Sequence, residues 1–229
     1  MGKYLGPVCK LCRREGEKLF LKGERCYVKC PIDQPQGSFP PGQHGHTKSR
    51  TKTTEYGKRL REKQKTKRIA GILEKQFYRY FERARRNPGK TGEELLRQLE
   101  TRLDNVVRRL GFAPSMAAAR QLVSHGHVYI NGKRVNIPSY SVRVGDVVSL
   151  GDAMKSNLRV QRSISNQLRR AIPTWLELDE EVASTLGRSK DLPVDLKDVK
   201  IQGRVRLEPS REEFSYKVND QYIVELYSK

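Results

Sequence analysis

The 229-residue sequence lacks the features that mark membrane, secreted and most catalytic proteins. Hydrophobic residues make up only 36% of the chain, and no apolar run approaches the roughly 18 residues that a membrane span needs. The first residues have no apolar segment typical of a signal peptide. A Gly-rich nucleotide loop, a Gly-x-Ser-x-Gly elbow and a His-Glu-x-x-His motif are also absent. These absences favour a protein of the cytosol, or of an organelle with its own genes, that is not an enzyme and has no membrane partner.

Acidic residues are scarce, with 26 Asp and Glu against 46 Lys and Arg, so the net charge is +20. The excess is uneven along the chain. Residues 47–70 contain ten basic and two acidic side chains, whereas residues 173–229 contain nine and twelve. Self-repulsion at this net charge destabilises a compact state unless a polyanion neutralises it. Nucleic acid is favoured over an anionic membrane, because no long helix has the Lys-rich, aromatic-anchored pattern of a membrane-surface segment.

Cysteine occurs only in the first 30 residues, as the pairs Cys9–Cys12 and Cys26–Cys30 separated by 13 residues. Two short pairs joined by a loop can deliver four thiolates to a tetrahedral Zn²⁺ ion. The pattern predicts one structural zinc ion, which a basic segment with little core of its own would need in order to fold. Two disulfides, an iron–sulfur cluster and four unrelated thiols remain alternatives. His44 and His46 are less favoured substitutes as ligands.

Residues 31–46 are rich in Pro and Gly and predict a loop. Within this loop, Gln43 and His44 are candidates for contacts with phosphates or bases, and a simple spacer is the alternative. Residues 55–67 predict a helix that is polar nearly all round, so we expect phosphates along its side to hold it. We expect nucleic acid to contact the cations of this helix and of the residue that follows it: Lys58, Arg59, Arg61, Lys63, Lys65, Lys67 and Arg68. A second helix, over about 73–86, has an aromatic face that predicts core packing.

The spacing of leucines and valines predicts one helix from Thr91 to about Leu110 and a second from Met116 to about Ser124. Asn131-Gly132 between two β-forming runs predicts a hairpin, and residues 147–150 predict a further strand. Two helices beside a small sheet can present one basic surface to folded RNA. The residues expected on that surface are Arg102, Arg108, Arg109, Arg120, His125, His127, Asn131, Lys133 and Arg134. Nearer the C-terminus, the patterns predict a helix within 154–172 and strands near 175–178, 200–207 and 221–226.

Several stretches resemble known proteins. Residues 99–107, 120–123 and 125–128, together with Asn131-Gly132, resemble the S-four RNA-binding module, which also occurs in RNA-modifying enzymes and some aminoacyl-tRNA synthetases. The four cysteines and the stretches 41–45, 60–65, 137–140 and 225–228 are similar to the bacterial S-four family of small-subunit ribosomal proteins. The likeness covers nearly the whole chain.

The resemblance implies an α+β fold with an N-terminal zinc knuckle, a helical domain and an inserted S-four module of two helices plus a small antiparallel sheet. The implied domains are 1–45 for the zinc knuckle and loop, 46–98 for the basic helical domain, completed by about 173–229, and 99–165 for the module. The implied function is that of a structural constituent of the small ribosomal subunit in the cytoplasm or an organelle.

The resemblance also implies particular partners. The family binds small-subunit rRNA early in assembly, at a multi-helix junction in the body of the subunit. It lies near ribosomal proteins S-five and S-twelve and helps to line the path by which mRNA enters. It also bears on the accuracy of decoding.

Two other classes of protein are alternatives. An RNA-modifying enzyme such as a pseudouridine synthase carries the same module, and Arg102-Leu103-Asp104 superficially matches the run around the catalytic Asp of that family. No stretch of the chain supplies a separate catalytic domain, however. A zinc-dependent DNA-binding regulator is the second alternative, but no groove-reading helix or dimerisation heptad is recognisable.

Overall fold

The computed structural model describes residues 2, 4–37, 39–49, 52–170, 172–188 and 199–228. It divides the chain into two compact units, Met1–Leu96 with Tyr216–Lys229 and Arg97–Ser215. Both units contain helices, and the second contains an antiparallel sheet. The α+β class predicted from the sequence is therefore confirmed.

The first unit is built from helices. Their bounds are α1 Cys9–Glu15, α2 Arg25–Val28, α3 Gly45–Ser49, α4 Glu55–Ile69, α5 Glu74–Arg86 and α11 Asp220–Tyr227. Thr54 is the N-cap of α4, and its hydroxyl accepts a hydrogen bond from the Gly57 amide at 3.1 Å. Phe77, Tyr80, Phe81 and Ala84 are buried along one face of α5, so the predicted aromatic core face is confirmed.

The C-terminal prediction of a strand over 221–226 is wrong, because this segment forms helix α11. The Asn219 side chain caps the helix by accepting from the Gln221 amide at 3.1 Å. Ile223 is fully buried and Tyr227, four residues later, packs against Phe81 with ring centroids 4.7 Å apart. Apolar side chains at this spacing share one helix face, and packing on that face outweighs the β-forming tendency of the segment.

The second unit contains a five-stranded antiparallel sheet in the order β2-β1-β3-β5-β4. The strands are β1 Val128–Ile130, β2 Lys133–Arg134, β3 Val147–Leu150, β4 Leu176–Leu178 and β5 Gln202–Val205. Four further helices lie wholly in this unit: α7 Leu103–Arg109, α8 Met116–Ser124, α9 Leu158–Leu168 and α10 Glu180–Arg188. Side chains from these helices and from the sheet form one core that includes Leu103, Val148, Trp175 and Ile201.

The sheet alters the predicted division of the chain. The resemblance implies that residues from about 173 to 229 complete the helical domain, but β4 and β5 continue the sheet of the second unit, and β5 pairs directly with β3. Of this segment, Tyr216–Lys229 alone belongs with the first unit. Residues 189–198 lie outside the described residues.

The prediction of one continuous helix from Thr91 to Leu110 is wrong, because this segment forms two helices, α6 Thr91–Glu100 and α7. The break falls at Thr101 and Arg102, where the chain pairs with residues 140–142: the Leu103 amide donates to the Tyr140 carbonyl at 2.8 Å, and the Val142 amide to the Thr101 carbonyl at 2.9 Å. These long-range hydrogen bonds replace the helical ones at the break.

Candidate nucleic-acid interface

The four cysteines lie together in the first unit. Helix α1 carries Cys9 and Cys12, and the short helix α2 carries Cys26. Cys30 lies just after Lys29, the C-cap of α2. All four line the same small cavity, whose volume of about 10 Å³ is close to that of one water-sized sphere. Cys12, Cys26 and Cys30 are buried, and no disulfide joins any of these four described cysteines. His44 and His46 do not line the cavity.

The thiols of this cluster influence one another. Burial raises the pKa of Cys12, and proximity to Cys26, Cys9 and Cys30 raises that pKa further, against a hydrogen bond to the backbone of Leu19 that lowers it. Within the described ranges, no group of three or more Cys, His, Asp or Glu side chains has the geometry to hold a metal ion. The four thiols share one cavity and are of the donor type that Zn²⁺ binds, but they are not at ligand geometry.

Helix α4 does not present its positive charge freely. Each of its seven cations predicted to bind nucleic acid forms an ion pair with a carboxylate of the first unit. Lys58 pairs with Glu55, Arg59 with Glu225, Arg61 and Arg68 with Glu15, Lys63 and Lys67 with Glu74, and Lys65 with Glu17. Lys63 and Lys65 are also buried. The structure therefore places most of this predicted interface in the internal ion-pair network that joins α4 to its neighbours.

Glu74 shows how these pairs are built. Its carboxylate accepts from Lys63 at 2.6 Å, from Lys67 at 2.8 Å and from the Tyr227 hydroxyl at 2.6 Å. Burial raises the pKa of Glu74, but these three hydrogen bonds outweigh it and lower the pKa to about 2. Burial and the hydrogen bond to Glu74 together raise the pKa of Tyr227. The carboxylate is thus ionised at neutral pH and ties α4, α5 and α11 together.

Arg102 and Arg120 are not exposed as predicted. The Arg102 side chain is 1% exposed and donates to both oxygens of Asp104 at 2.8 and 3.0 Å. Arg120 donates to the same carboxylate at 2.8 Å and is 12% exposed. Two guanidiniums balance the charge of this buried carboxylate, whereas an isolated charged Asp in the same place would be strongly destabilising. Asp104 is therefore fully buried, with its carboxylate held by both arginines.

A second buried carboxylate, Glu100, lies among the polar contacts that the arginines of α7 make. Glu100 is fully buried and accepts from the Asn105 amide and from the Ser215 backbone. Arg109 lies 3.5 Å from Glu100 and donates to the Glu213 carbonyl, while Arg108 donates to the Ser215 hydroxyl at 2.7 Å. Arg108 and Arg109 are therefore turned toward the protein and not toward the predicted RNA surface.

The hairpin end of the module does carry exposed polar side chains. His125, Asn131, Lys133 and Arg134 are exposed, and His127 is half-buried. Asn131 adopts a left-handed φ of 50° and Gly132 one of 79°, which the tight turn between β1 and β2 requires. The Asn131 amide oxygen also accepts from the Val147 amide at 2.9 Å, and Arg134 donates to the Gly126 carbonyl at 2.9 Å. Gln43 and His44 are exposed in the loop before α3.

Sequence reasoning missed a basic face on α5. Its solvent side carries Lys75, Arg79, Arg83 and Arg86, all exposed and opposite the buried aromatic face. In the described part of the chain, no carboxylate forms an ion pair with these four cations. On α9, Arg159 and Arg162 are likewise exposed. The three- and four-residue spacing of the cations on α5 is a signal that could have identified the face. The arrangement offers phosphates fixed positive charges at helical intervals.

None of the helices in the described ranges is both long enough and apolar enough to span a bilayer.

Comparison with known proteins defines the class of this chain. Residues 3–100 match the family described as the ribosomal protein S4/S9 N-terminal domain, and residues 101–148 match the S4 domain. The boundary between the two matches lies at the α6–α7 break. These matches make the chain a ribosomal protein and not an enzyme.

Curated relatives agree over the full length. The small ribosomal subunit protein uS4 of Dictyoglomus turgidum is 53% identical, that of Halothermothrix orenii 50% and that of Acidithiobacillus ferrooxidans 48%. Each alignment covers 230 residues and the whole of both chains. The chain belongs to the uS4 family of small ribosomal subunit proteins.

Proposed function

We propose that this chain is a structural component of the small ribosomal subunit that binds rRNA of the subunit body during assembly. The observation that carries the proposal is the exposed basic face of α5, Lys75, Arg79, Arg83 and Arg86, together with Lys133 and Arg134 of the hairpin. Exposed cations at fixed spacing neutralise phosphates and release counterions, which supplies affinity for a folded RNA. Shape and charge, more than base sequence, govern recognition of this kind.

The finer proposals concern where in the subunit the chain acts. We propose binding at a multi-helix junction of the body, proximity to ribosomal proteins S-five and S-twelve, and a position along the path by which mRNA enters. A contribution to translational accuracy follows from such a position. The resemblance of the whole chain to the family supports these proposals.

We also propose that Cys9, Cys12, Cys26 and Cys30 hold one structural Zn²⁺ ion. The shared cavity and the absence of disulfides between these described cysteines support a thiolate site. Four thiolates would fill the coordination sphere, so the ion would stabilise the segment and leave no open position for catalysis. An iron–sulfur cluster with the same four ligands is the alternative outcome.

Filter binding tests the RNA proposal. The full-length protein is titrated against an rRNA fragment that contains the body junction, with an unrelated structured RNA of equal length as control, between 50 and 200 mM salt. With six to ten phosphate contacts, affinity should fall by about 10³- to 10⁵-fold over this range. A log–log slope near zero, or equal affinity for the control RNA, would contradict the proposal.

Metal analysis tests the zinc proposal. The native protein should contain about one equivalent of zinc, and Cys9→Ser should release it, since three thiolates bind more weakly than four. Lys10→Ser, in the same helix turn, is the matched control and should retain the metal. Native protein that contains iron, or no metal, would overturn the assignment.

A further inference from the structure

Two aromatic side chains of the cysteine-rich segment face solvent in the first unit. Phe20 is 38% exposed and Tyr27 is 47% exposed, yet their rings stack with centroids 4.8 Å apart and an interplanar angle of 30°. Large aromatic side chains usually contribute to a core or an interface. A stacked pair at the surface therefore presents a preformed aromatic face rather than two isolated exposed residues.

The backbone of this segment directs the pair outward. Leu19 and Cys26 are buried and immediately precede Phe20 and Tyr27, so each aromatic follows a residue anchored in the interior. Phe20 has a left-handed φ of 52°, a conformation that a bulky residue rarely adopts. The turn thus holds Phe20 against Tyr27 at the surface, where strained residues often serve binding.

The charges around the pair favour an anionic partner. Lys22, Arg25 and Lys29 are exposed on the same short segment. Throughout the described ranges, none of these three cations forms an ion pair with a carboxylate, unlike the cations of α4. An aromatic face on a segment that also carries exposed cations matches the chemistry by which proteins bind an unstacked base and its flanking phosphates.

We propose that Phe20 and Tyr27 form a stacking platform for an unpaired RNA base, with Lys22, Arg25 and Lys29 contacting the adjacent phosphates. The identity of that RNA as small-subunit rRNA rests on the proposed function. An apolar protein segment would also cover two rings, but it would not require three exposed cations on the same segment. The inference therefore commits to an unpaired nucleotide, as found in loops, bulges and junctions.

Substitutions that remove the aromatic faces but keep apolar bulk test the platform. In the full-length protein, Phe20→Leu and Tyr27→Leu should each weaken binding to the body-junction rRNA fragment on the order of tenfold, because base stacking on an aromatic ring contributes this much. Tyr27→Phe keeps the ring and should bind as the native protein does. Val28→Ala, which removes a neighbouring aliphatic side chain that is 87% exposed, is the matched control and should have no effect.

Salt dependence separates stacking from charge. The two Leu variants should keep the native log–log slope, whereas Lys22→Ala or Arg25→Ala should each make it shallower by about 0.7 to 0.9, since each loses one phosphate contact. Ultraviolet cross-linking of the rRNA fragment should label the peptide containing Phe20 and Tyr27, and both Leu variants should lose that label. Circular dichroism and metal content should match the native protein, which excludes local unfolding as the cause.

The outcomes distinguish this inference from the function it rests on. If native protein binds the fragment with a steep salt dependence, but the Leu variants bind equally well and no cross-link maps to this segment, the platform is wrong and the rRNA proposal stands. If the Leu variants lose only the binding of another ribosomal protein, the pair is a protein contact and the platform is again wrong. If native protein does not bind the fragment, both proposals fail.

Discussion

Helices α4 and α5 lie in the same unit and are both strongly basic, but their cations have different surroundings. The seven cations of α4 considered above are paired with five carboxylates, which come from α1, α4, α5, α11 and the turn after α1: Glu15, Glu17, Glu55, Glu74 and Glu225. The outer cations of α5 face solvent. A dense run of positive charge in a sequence therefore identifies a helix that needs anions, but those anions can come from the protein itself.

The same contrast holds in the second unit, where buried Arg102 and Arg120 share Asp104 and the hairpin exposes Lys133. Paired cations stabilise the fold, and exposed cations remain available for phosphates. Predictions follow for each group, because loss of a paired cation or its carboxylate should change stability, whereas loss of an exposed cation should change binding.

The largest effect on stability should come from Asp104→Ala. This change leaves the buried guanidinium of Arg102 without its carboxylate and also deprives Arg120 of a partner. Breaking a buried ion pair from one side costs about 3–5 kcal/mol, and urea unfolding of the full-length protein measures it. The control is Asp152→Ala. The Asp152 carboxylate is 91% exposed beside Lys155, so its loss should change the free energy of unfolding by less than about 0.5 kcal/mol. Equal stability of the two variants would contradict the assigned role of Asp104.

A double substitution on each helix of the first unit tests the comparison directly. Arg79→Ala with Arg83→Ala on α5 should make the salt dependence of rRNA binding shallower by about 1.5 to 2 in log–log slope, because two phosphate contacts are lost. Lys63→Met with Lys67→Met on α4 removes the same charge but should leave the slope near the native value while lowering stability, since both lysines are held by Glu74.

The measurements are filter binding across salt and urea unfolding of all three proteins. A slope reduced equally by both double variants would show that the α4 cations leave Glu74 for phosphate. A slope unchanged by the α5 variant would show that the RNA lies elsewhere. Either result would remove the distinction between the two helices.

Much of this fold was predictable from local patterns. The helices at 55–69, 74–86 and 116–124 and the hairpin around Asn131-Gly132 follow from caps, apolar spacing and turn residues that lie within a few positions of one another. The α6–α7 break was not predictable, because residues 140–142 cause it from about 40 positions away. The strand predicted at 221–226 failed for a related reason, since helix α11 is selected by packing against distant residues.

The candidate interface divides in the same way. The sequence identified which residues are basic, but Arg61 and Lys63 pair with Glu15 and Glu74, and Arg120 with Asp104, 16 positions away. Ion pairs between side chains so far apart leave no local signal in charge counts. The α5 face, by contrast, follows a helical spacing that is local and visible in the sequence.

The smallest predicted effect concerns Glu74 and pH. The carboxylate has a pKa lowered to about 2 in the folded protein, so its ion pairs contribute stability above its unfolded pKa, near 4.5, and lose that contribution as the pH falls toward 2. Because the side chain is 46% exposed, solvent screening limits the contribution to about 0.5–1 kcal/mol. Glu74→Gln should therefore be less stable than the native protein by this amount at pH 7.

The difference between native protein and Glu74→Gln should shrink progressively below pH 4.5 and disappear near pH 2, as protonation gives the native side chain the charge of the variant. Urea unfolding at pH 7, 4.5 and 2.5 measures this convergence. Tyr227→Phe is the control, because it removes one hydrogen bond to Glu74 but keeps Lys63 and Lys67, so its difference from native protein should be smaller at pH 7. A difference independent of pH would mean that Glu74 contributes through packing and not through charge, and α4 would then lack the electrostatic tie to α5 that separates the two helices.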